Sequence, residues 1–462
     1  NYNSDVVSAQ HYGISTYHYS KCRERAENDF QFRQKILFPI NNHLSSTPGS
    51  SYVAAISNKY YAQSRSEKKT FQPASEIWYD IGYNTIGILY FAFADWLLKQ
   101  AIQDNISHLY FLSRDGYIMK KVYERLRLKR PHAPAATYMY ASRRAVNIPA
   151  IISLDEASID FLVSGTSRLS VGQFLERIGL HSNTFIELIQ QAGFSDPGDM
   201  VQTGQDYGRL RELYRLLRPM IEEQASRERK IIGLYLRQTG IFDHSNVGVV
   251  DIGWHGSMQA SLHTLLSTFG FQGVLHGYYL GTFPPATEKK KNGYLFSSYL
   301  CECGYPEEYH TVIKSCVEIF EFVHRAPHGS VIRFISDQKS VVPVFDEDIN
   351  IDELQDVQHL QNGALDFIHE YLDVWEEAGF PSIHPDIALG PLRRLLQNPD
   401  KREAILFGNI LHSEGFGDIY EQRFVAKPPS VLTMILKPQM VMKRYRQAFW
   451  KRGYMKRLLP MM

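Results

Sequence analysis

Cysteine is scarce in this chain: four in 462 residues, at Cys22, Cys301, Cys303 and Cys316. So few cannot build a disulfide framework, and a reducing cytoplasm is the expected compartment. Cys301-Glu302-Cys303 with His310 nearby is half of a zinc motif, but no second pair completes it, which leaves ordinary thiols. Long apolar runs are also missing. The longest, Ile86 to Leu98, is broken by Asp95 and is too short for the roughly 30 Å hydrocarbon layer of a bilayer, so it predicts no membrane-spanning helix. No secretory signal is visible at the start, where Asn1 stands in place of Met. Internal repeats and long low-complexity segments are lacking, which excludes a repeat architecture.

Charge of one sign is absent overall, with a net of +1, but its distribution is uneven. From Gln422 to Met462 there are ten Lys or Arg and no Asp or Glu, so the remainder carries 40 basic against 49 acidic residues, or −9. An acidic body predicts no nucleic-acid partner. The basic tail is a candidate contact for an anionic membrane surface through residues 439–462, on the inner face of the membrane, or for another polyanion, with one amphipathic helix from near Gln439 closing at Gly453; a helix docked on the chain's own acidic body is the equal alternative.

The apolar content of 44% is that of a globular protein, and two short turns carry most of the information. Ser113-Arg114-Asp115-Gly116 follows the apolar run His108–Leu112, and Asp251-Ile252-Gly253-Trp254-His255-Gly256-Ser257 follows Val247–Val250. Each precedes a helical pattern. Polar, glycine-containing strand-to-helix turns lie at the carboxyl ends of parallel strands, where ligands bind in open α/β sheets. With a third strand at Thr137–Ala141, the pattern predicts an α/β fold: a parallel, Rossmann-like sheet with a helical insertion at about 154–240 and a helical C-terminal region. Later strands are expected at Gly329–Ile335 and Val341–Phe345. Residues 1–20 read as a capped helix closed by Gly13 and a strand from Ile14 to Tyr19, the end of a domain whose remaining parts would lie upstream. Residues 21–75 read as a connector with small helices, 76–345 as the ligand-binding module and 346–462 as the C-terminal region.

At the first turn, Ser113 and the backbone N–H groups of Asp115 and Gly116 form a candidate anion cradle, with Arg114 as a phosphate or carboxylate grip. At the second, Asp251 ends a strand apolar on both faces, where a carboxylate is costly unless paired. Gly253 and Gly256 permit close ligand approach, Trp254 a stacking face, His255 acid/base chemistry, and Ser257 and Gln259 further polar contacts. Arg143 and Arg144 follow the Thr137–Ala141 strand at the same sheet edge and suit a phosphorylated ligand. Asp115, Asp251 and His255 are the candidate catalytic groups. Glu318, Glu321 and His324 are spaced at i, i+3 and i+6, with the two carboxylates on one helix face, where a carboxylate pair is possible; more often such a pair is solvated. Val341–Asp348 imitates an aspartate-nucleophile motif without its usual continuation.

The segments Leu109–Tyr117, Ser142–Ala145, Val249–Gln259 and Glu318 with Ala326–Ser330 resemble the C-terminal extension of predicted haloacid-dehalogenase-like (HAD superfamily) hydrolases associated with bacterial surface-polysaccharide biosynthesis. Asn1–Val6 is similar to the end of that family's last catalytic motif, in which Asp5 would be a metal-associated carboxylate. The resemblance implies Mg as the metal. It also implies that the nucleophile and other phosphatase motifs lie outside this chain, which is then expected not to act as a phosphatase alone. The expected function is a sugar-phosphate or nucleotide-sugar binding module with transferase or hydrolase chemistry. The alternative is a non-catalytic module that docks or positions a HAD hydrolase or a glycosyltransferase partner.

Overall fold

The computed structural model describes residues 2–16, 21–61, 72–163, 169–202, 204, 206–337, 340–347, 350–375, 382–413, 421–423, 425, 429 and 431–458. The chain divides into two compact units, Asn1–Ala92 with His359–Leu395, and Phe93–Gln358 with Leu396–Met462.

The first unit is helical. Its main elements are Cys22–Asn28, Thr47–Tyr61 and Ala74–Ile81, with parts of the helices Ile351–Val374 and Pro385–Gln397. The serine-rich stretch read as a connector loop instead opens the 15-residue Thr47–Tyr61 helix, whose Tyr52, Val53 and Ile56 are fully buried. A continuous apolar face there outweighs the local turn chemistry of Ser and Gly. At the start, Gly13 takes φ +71° and closes the short Ser8–His11 helix as expected. Ile14–Thr16 form no strand, and the rest of that expected strand lies outside the described residues. Ala74–Gln103 is, among the described residues, the one helical run long and apolar enough to cross a membrane. Of its most apolar window 89% is buried, as in a core helix.

The second unit is α/β. Five parallel strands, β1 (His108–Leu112), β2 (Ala135–Met139), β3 (Asn246–Trp254), β4 (Val274–Thr282) and β5 (Leu295–Cys301), are ordered β2-β1-β3-β4-β5. β1 and β3 are buried almost throughout, which is why their sequences read as unbroken apolar runs rather than alternating ones. β5 had no such run and escaped the sequence reading. From β1 the chain passes to one side, to β2; from β3 it passes to the other, to β4 and β5. The strand order therefore reverses between β1 and β3, and crevices for ligands form at such a switch point.

Between β2 and β3 lies the expected helical insertion, with a core of its own built on Leu154, Ile159, Phe174, Leu175, Leu210 and Tyr214. The two later strands do exist, as β6 (Val331–Asp337) and β7 (Ser340–Phe345), but they pair antiparallel as a separate hairpin. Pro343, which has no N–H to donate, is at home on such an edge.

Candidate functional site

Each functional side chain is placed by the end of a strand. After β1 the backbone turns sharply, and Arg114 adopts φ +68°, a left-handed conformation unusual for a side-chain-bearing residue. Its N–H donates to the Tyr138 hydroxyl at 3.0 Å, and its Nη1 to Ser330 Oγ at 2.9 Å. The turn brings Asp115 to the start of the Gly116–Arg127 helix, half-buried among protein groups. Burial pushes the Asp115 carboxyl from 3.8 up to about 7; Arg114 opposes the rise, Glu321 adds to it and Arg143 opposes it. A strained backbone beside a carboxyl poised near neutrality is a common signature of a functional site.

Asp251 lies within β3, paired in register with Tyr279 of β4, and is 5% exposed. Burial drives its carboxyl well above the usual range. The neighbouring Asp115 raises it further, a backbone hydrogen bond from Ile252 and the charge of Arg143 oppose the shift, and Glu321 adds to it. Among the described residues Oδ1 of Asp251 is buried without a hydrogen-bond partner. Such an atom carries a desolvation cost unless a proton or a cation reaches it.

Arg143 connects these groups. It is exposed, makes no ion pair among the described residues, and its charge acts on Asp115, Asp251 and His255. His255 is exposed at the end of the second turn, and burial of its ring, then Arg143 and Lys289, holds its pKa below the ordinary value. It is therefore a neutral imidazole at pH 7, competent to accept a proton. Asp115, Asp251, Glu321, Arg143 and His255 thus form one electrostatic neighbourhood at the switch point.

Other expected site residues turn elsewhere. Arg144 is bound to Glu228 through both terminal nitrogens, and a buried ion pair cannot also grip a ligand. The Ser113 hydroxyl donates to the Ala141 carbonyl at 2.5 Å and accepts the Ala141 N–H at 3.0 Å, stitching the two strand ends together. Gln259 is 2% exposed; its amide donates to the Leu275 and Leu295 carbonyls and accepts from the Tyr279 hydroxyl. Trp254 stacks on Phe283 with ring centroids 5.0 Å apart and meets Phe320 edge-on, so it plugs the core. Gly253 serves packing: at φ +124° a Cβ there would lie 2.0 Å from the Gly281 carbonyl oxygen. A Cβ on Gly116 would lie 2.9 Å from the carbonyl carbon of Phe111, so this glycine seats its helix against β1. Gly256 takes φ +67° as the cap of the Ser257–Thr268 helix, which the half-buried Ser257 opens. Asp5 is exposed, accepts from Ser4 Oγ at 2.9 Å, and belongs to no group of three converging metal ligands among the described residues. His324 is fully buried with its pKa lowered to about 4, its Nδ1 2.7 Å from the Phe320 carbonyl.

Two contributors, Tyr138 and His328, were not among the expected site residues. His328 Nδ1 lies 2.8 Å from the Gly329 carbonyl, which can only accept, so Nδ1 carries the proton. Its Nε2 then accepts from the Tyr138 hydroxyl at 2.7 Å, and the Tyr138 oxygen takes the Arg114 N–H. This three-residue relay fixes the strained turn. Glu321, one of a pair more often found on a solvated face, is half-buried and acts on both aspartates. Only the tertiary fold joins these positions to the turns.

Comparison with known proteins leaves the site to speak for itself: no family model matches the chain, and no match was found among curated proteins.

Proposed function

We propose that the β1/β3 edge binds a phosphorylated sugar or nucleotide-sugar, and that its carboxylates act on the bound ligand in transfer or hydrolysis. The observation that carries this reading is the orphaned Oδ1 of Asp251, whose carboxyl feels the charges of Asp115 and of Arg143, an exposed arginine with no ion pair among the described residues. A phosphate would be gripped by Arg143, while Asp115 and Asp251 would hold Mg²⁺ or sugar hydroxyls beside it.

The donor set fits magnesium in a particular way. Asp115, Asp251 and Glu321 do not gather three ligand oxygens into a closed cage. Mg²⁺ ordinarily takes one or two carboxylates, keeps water, and completes its shell with substrate phosphate. Asp115 and Asp251 would hold it, and when bound it supplies charge neutralisation at the phosphate. Without the ion Asp115, pushed up to about 7, would exchange protons near neutral pH; with Mg²⁺ held by the two aspartates the acid/base role would fall to His255, a neutral base at the exposed rim. The wider setting, an extension of haloacid-dehalogenase-like hydrolases working in bacterial surface-polysaccharide assembly in the cytoplasm, rests on the quoted motifs alone.

The test is thermal shift and calorimetry of the full chain with a panel of sugar phosphates and nucleotide-sugars, with and without Mg²⁺. A saturable response that Arg143→Ala or Asp251→Asn removes is the expected result. No response to any phosphorylated ligand, or an equal response in both variants, sinks the proposal.

A further inference from the structure

In the helical unit, His43 ends the Phe38–His43 turn, and His384 and Asp386 flank the first residue of the Pro385–Gln397 helix. His43 Nε2 lies 3.3 Å from Asp386 Oδ2, and His384 Nδ1 lies 3.4 Å from the same oxygen. The two imidazoles stack with centroids 4.9 Å apart and planes at 24°. All three ligand atoms fall within 4.8 Å of one another.

These distances are long for charge-assisted hydrogen bonds, which cluster at about 2.7–2.9 Å. His384 Nδ1 accepts the backbone N–H of Asp386 at 3.2 Å, so the nitrogen nearest the carboxylate is an acceptor, and a metal would take its single lone pair in place of this long bond. Acceptor facing acceptor is unfavourable unless a cation stands between them. Two atoms each bound at about 2.0–2.1 Å to one tetrahedral metal are separated by about 3.3–3.4 Å. Both contacts have that length.

The backbone holds the ligands ready. A Cβ on Gly390 of the Pro385–Gln397 helix would lie 2.7 Å from the Pro39 carbonyl oxygen, and one on Gly49 would lie 2.1 Å from that of His43. At Gly390 the Pro385–Gln397 helix therefore meets the turn backbone to side-chain-free backbone, which brings the two ligand-bearing segments together.

We propose that His43, His384 and Asp386 form a divalent-metal site of the zinc class, clamping two segments 343 residues apart in sequence. Two imidazoles with one carboxylate suit zinc and its transition-metal neighbours, whereas magnesium and calcium favour all-oxygen shells. Three protein ligands leave a fourth position for water, and the His384 side chain, 55% exposed, keeps that position within reach of solvent.

The experiment uses the full chain carrying Asp251→Asn, so that the carboxylate edge of the other unit contributes no cation binding. After stripping with chelator, zinc is titrated by calorimetry with metal content measured in parallel, and cobalt(II) is added as a spectroscopic probe. One zinc per chain is expected, with the visible absorption of tetrahedral cobalt and a rise in Tm. His384→Gln, at a half-exposed side chain, should keep the fold by circular dichroism, lose the cobalt band and bind zinc roughly 100-fold more weakly. Histidine ¹⁵N shifts of the parent chain during the titration give a readout that needs no variant, and two ring nitrogens should respond. Absence of stoichiometric zinc in the parent, or unchanged binding in folded His384→Gln, overturns the proposal.

Discussion

Arg144 holds Glu228 through both terminal nitrogens at 2.6 Å each, while Arg143, one residue earlier, faces the carboxylates of the switch point. Gln224 Nε2 adds a third donor to Glu228 at 2.8 Å. Adjacent arginines thus do different work, one locking the helical insertion to the sheet and one available to a ligand. Arg144→Ala leaves a carboxylate buried and unmatched, and should cost about 3–5 kcal/mol in urea unfolding. Arg143→Ala should change stability by less than about 0.5 kcal/mol and abolish phosphorylated-ligand binding. Equal stability losses in the two variants would contradict the division.

The raised carboxyls of Asp115 and Asp251 set a pH dependence of definite sign. Both bind protons more tightly folded than unfolded. Their contribution to stability is full below the unfolded value near 3.8 and is lost as pH rises through about 7 at Asp115. Without divalent cation, this pair should lower Tm progressively between pH 4 and 8. Asp251→Asn should flatten the slope and stabilise the chain above pH 7, while removing ligand binding. Millimolar Mg²⁺ should flatten it in the parent only. A parent slope unchanged by Asp251→Asn would show that other groups govern the transition.

Tyr138 links the strained turn to the loop after the Val317–Val323 helix, accepting from Arg114 N–H and donating to His328 Nε2. Tyr138→Phe removes both bonds and leaves a main-chain donor without its acceptor. The expected cost is about 1–3 kcal/mol by denaturant titration. Ligand affinity should fall as well, since Arg114 sits on the same turn. His328→Gln, whose amide can still meet the Tyr138 hydroxyl, should cost less than Tyr138→Phe. Full activity and stability in Tyr138→Phe would remove the relay from the site.

The parallel sheet and its ligand edge were legible because they are written locally: apolar runs buried on both faces, each followed by a polar turn with glycine. What each polar residue does there was not. Ser113, Arg144 and Gln259 have the residue types of ligand contacts, but their partners Ala141, Glu228 and Leu295 lie between 28 and 84 positions away. Tyr138 and His328 meet across 190 positions. Likewise the Ser-rich start of Thr47–Tyr61 has turn chemistry locally, and only the burial of Tyr52, Val53 and Ile56 makes it a helix. Periodicity reports which face is buried; it is silent on which distant group a polar atom finds.

The basic tail folds differently from the single amphipathic helix its sequence predicts. Two helices form, Pro438–Gln447 and Lys451–Leu458, because the chain turns extended at Ala448, and Gly453 lies inside the second rather than closing the first. The second helix is docked. Tyr454 is buried, the Trp450 Nε1–H donates to the Leu396 carbonyl at 2.8 Å, and Arg457 bonds the Val425 carbonyl and Asn409. The first helix buries none of its residues; Met442, Lys443 and Arg446 are exposed, as are Ile435, Leu436 and Lys437 just before it. Exposed apolar side chains interleaved with cations suit an anionic bilayer, where each basic group contributes about 1 kcal/mol. Membrane contact should therefore reside in 435–447, and the docked helix should serve stability. The full chain should co-sediment with anionic but not neutral vesicles, less so at high salt. Lys443→Glu with Arg446→Glu should abolish that binding at unchanged Tm, whereas Trp450→Ala should lower Tm and leave binding in the still-folded fraction. Vesicle binding that survives the charge reversal would place the contact elsewhere on the chain.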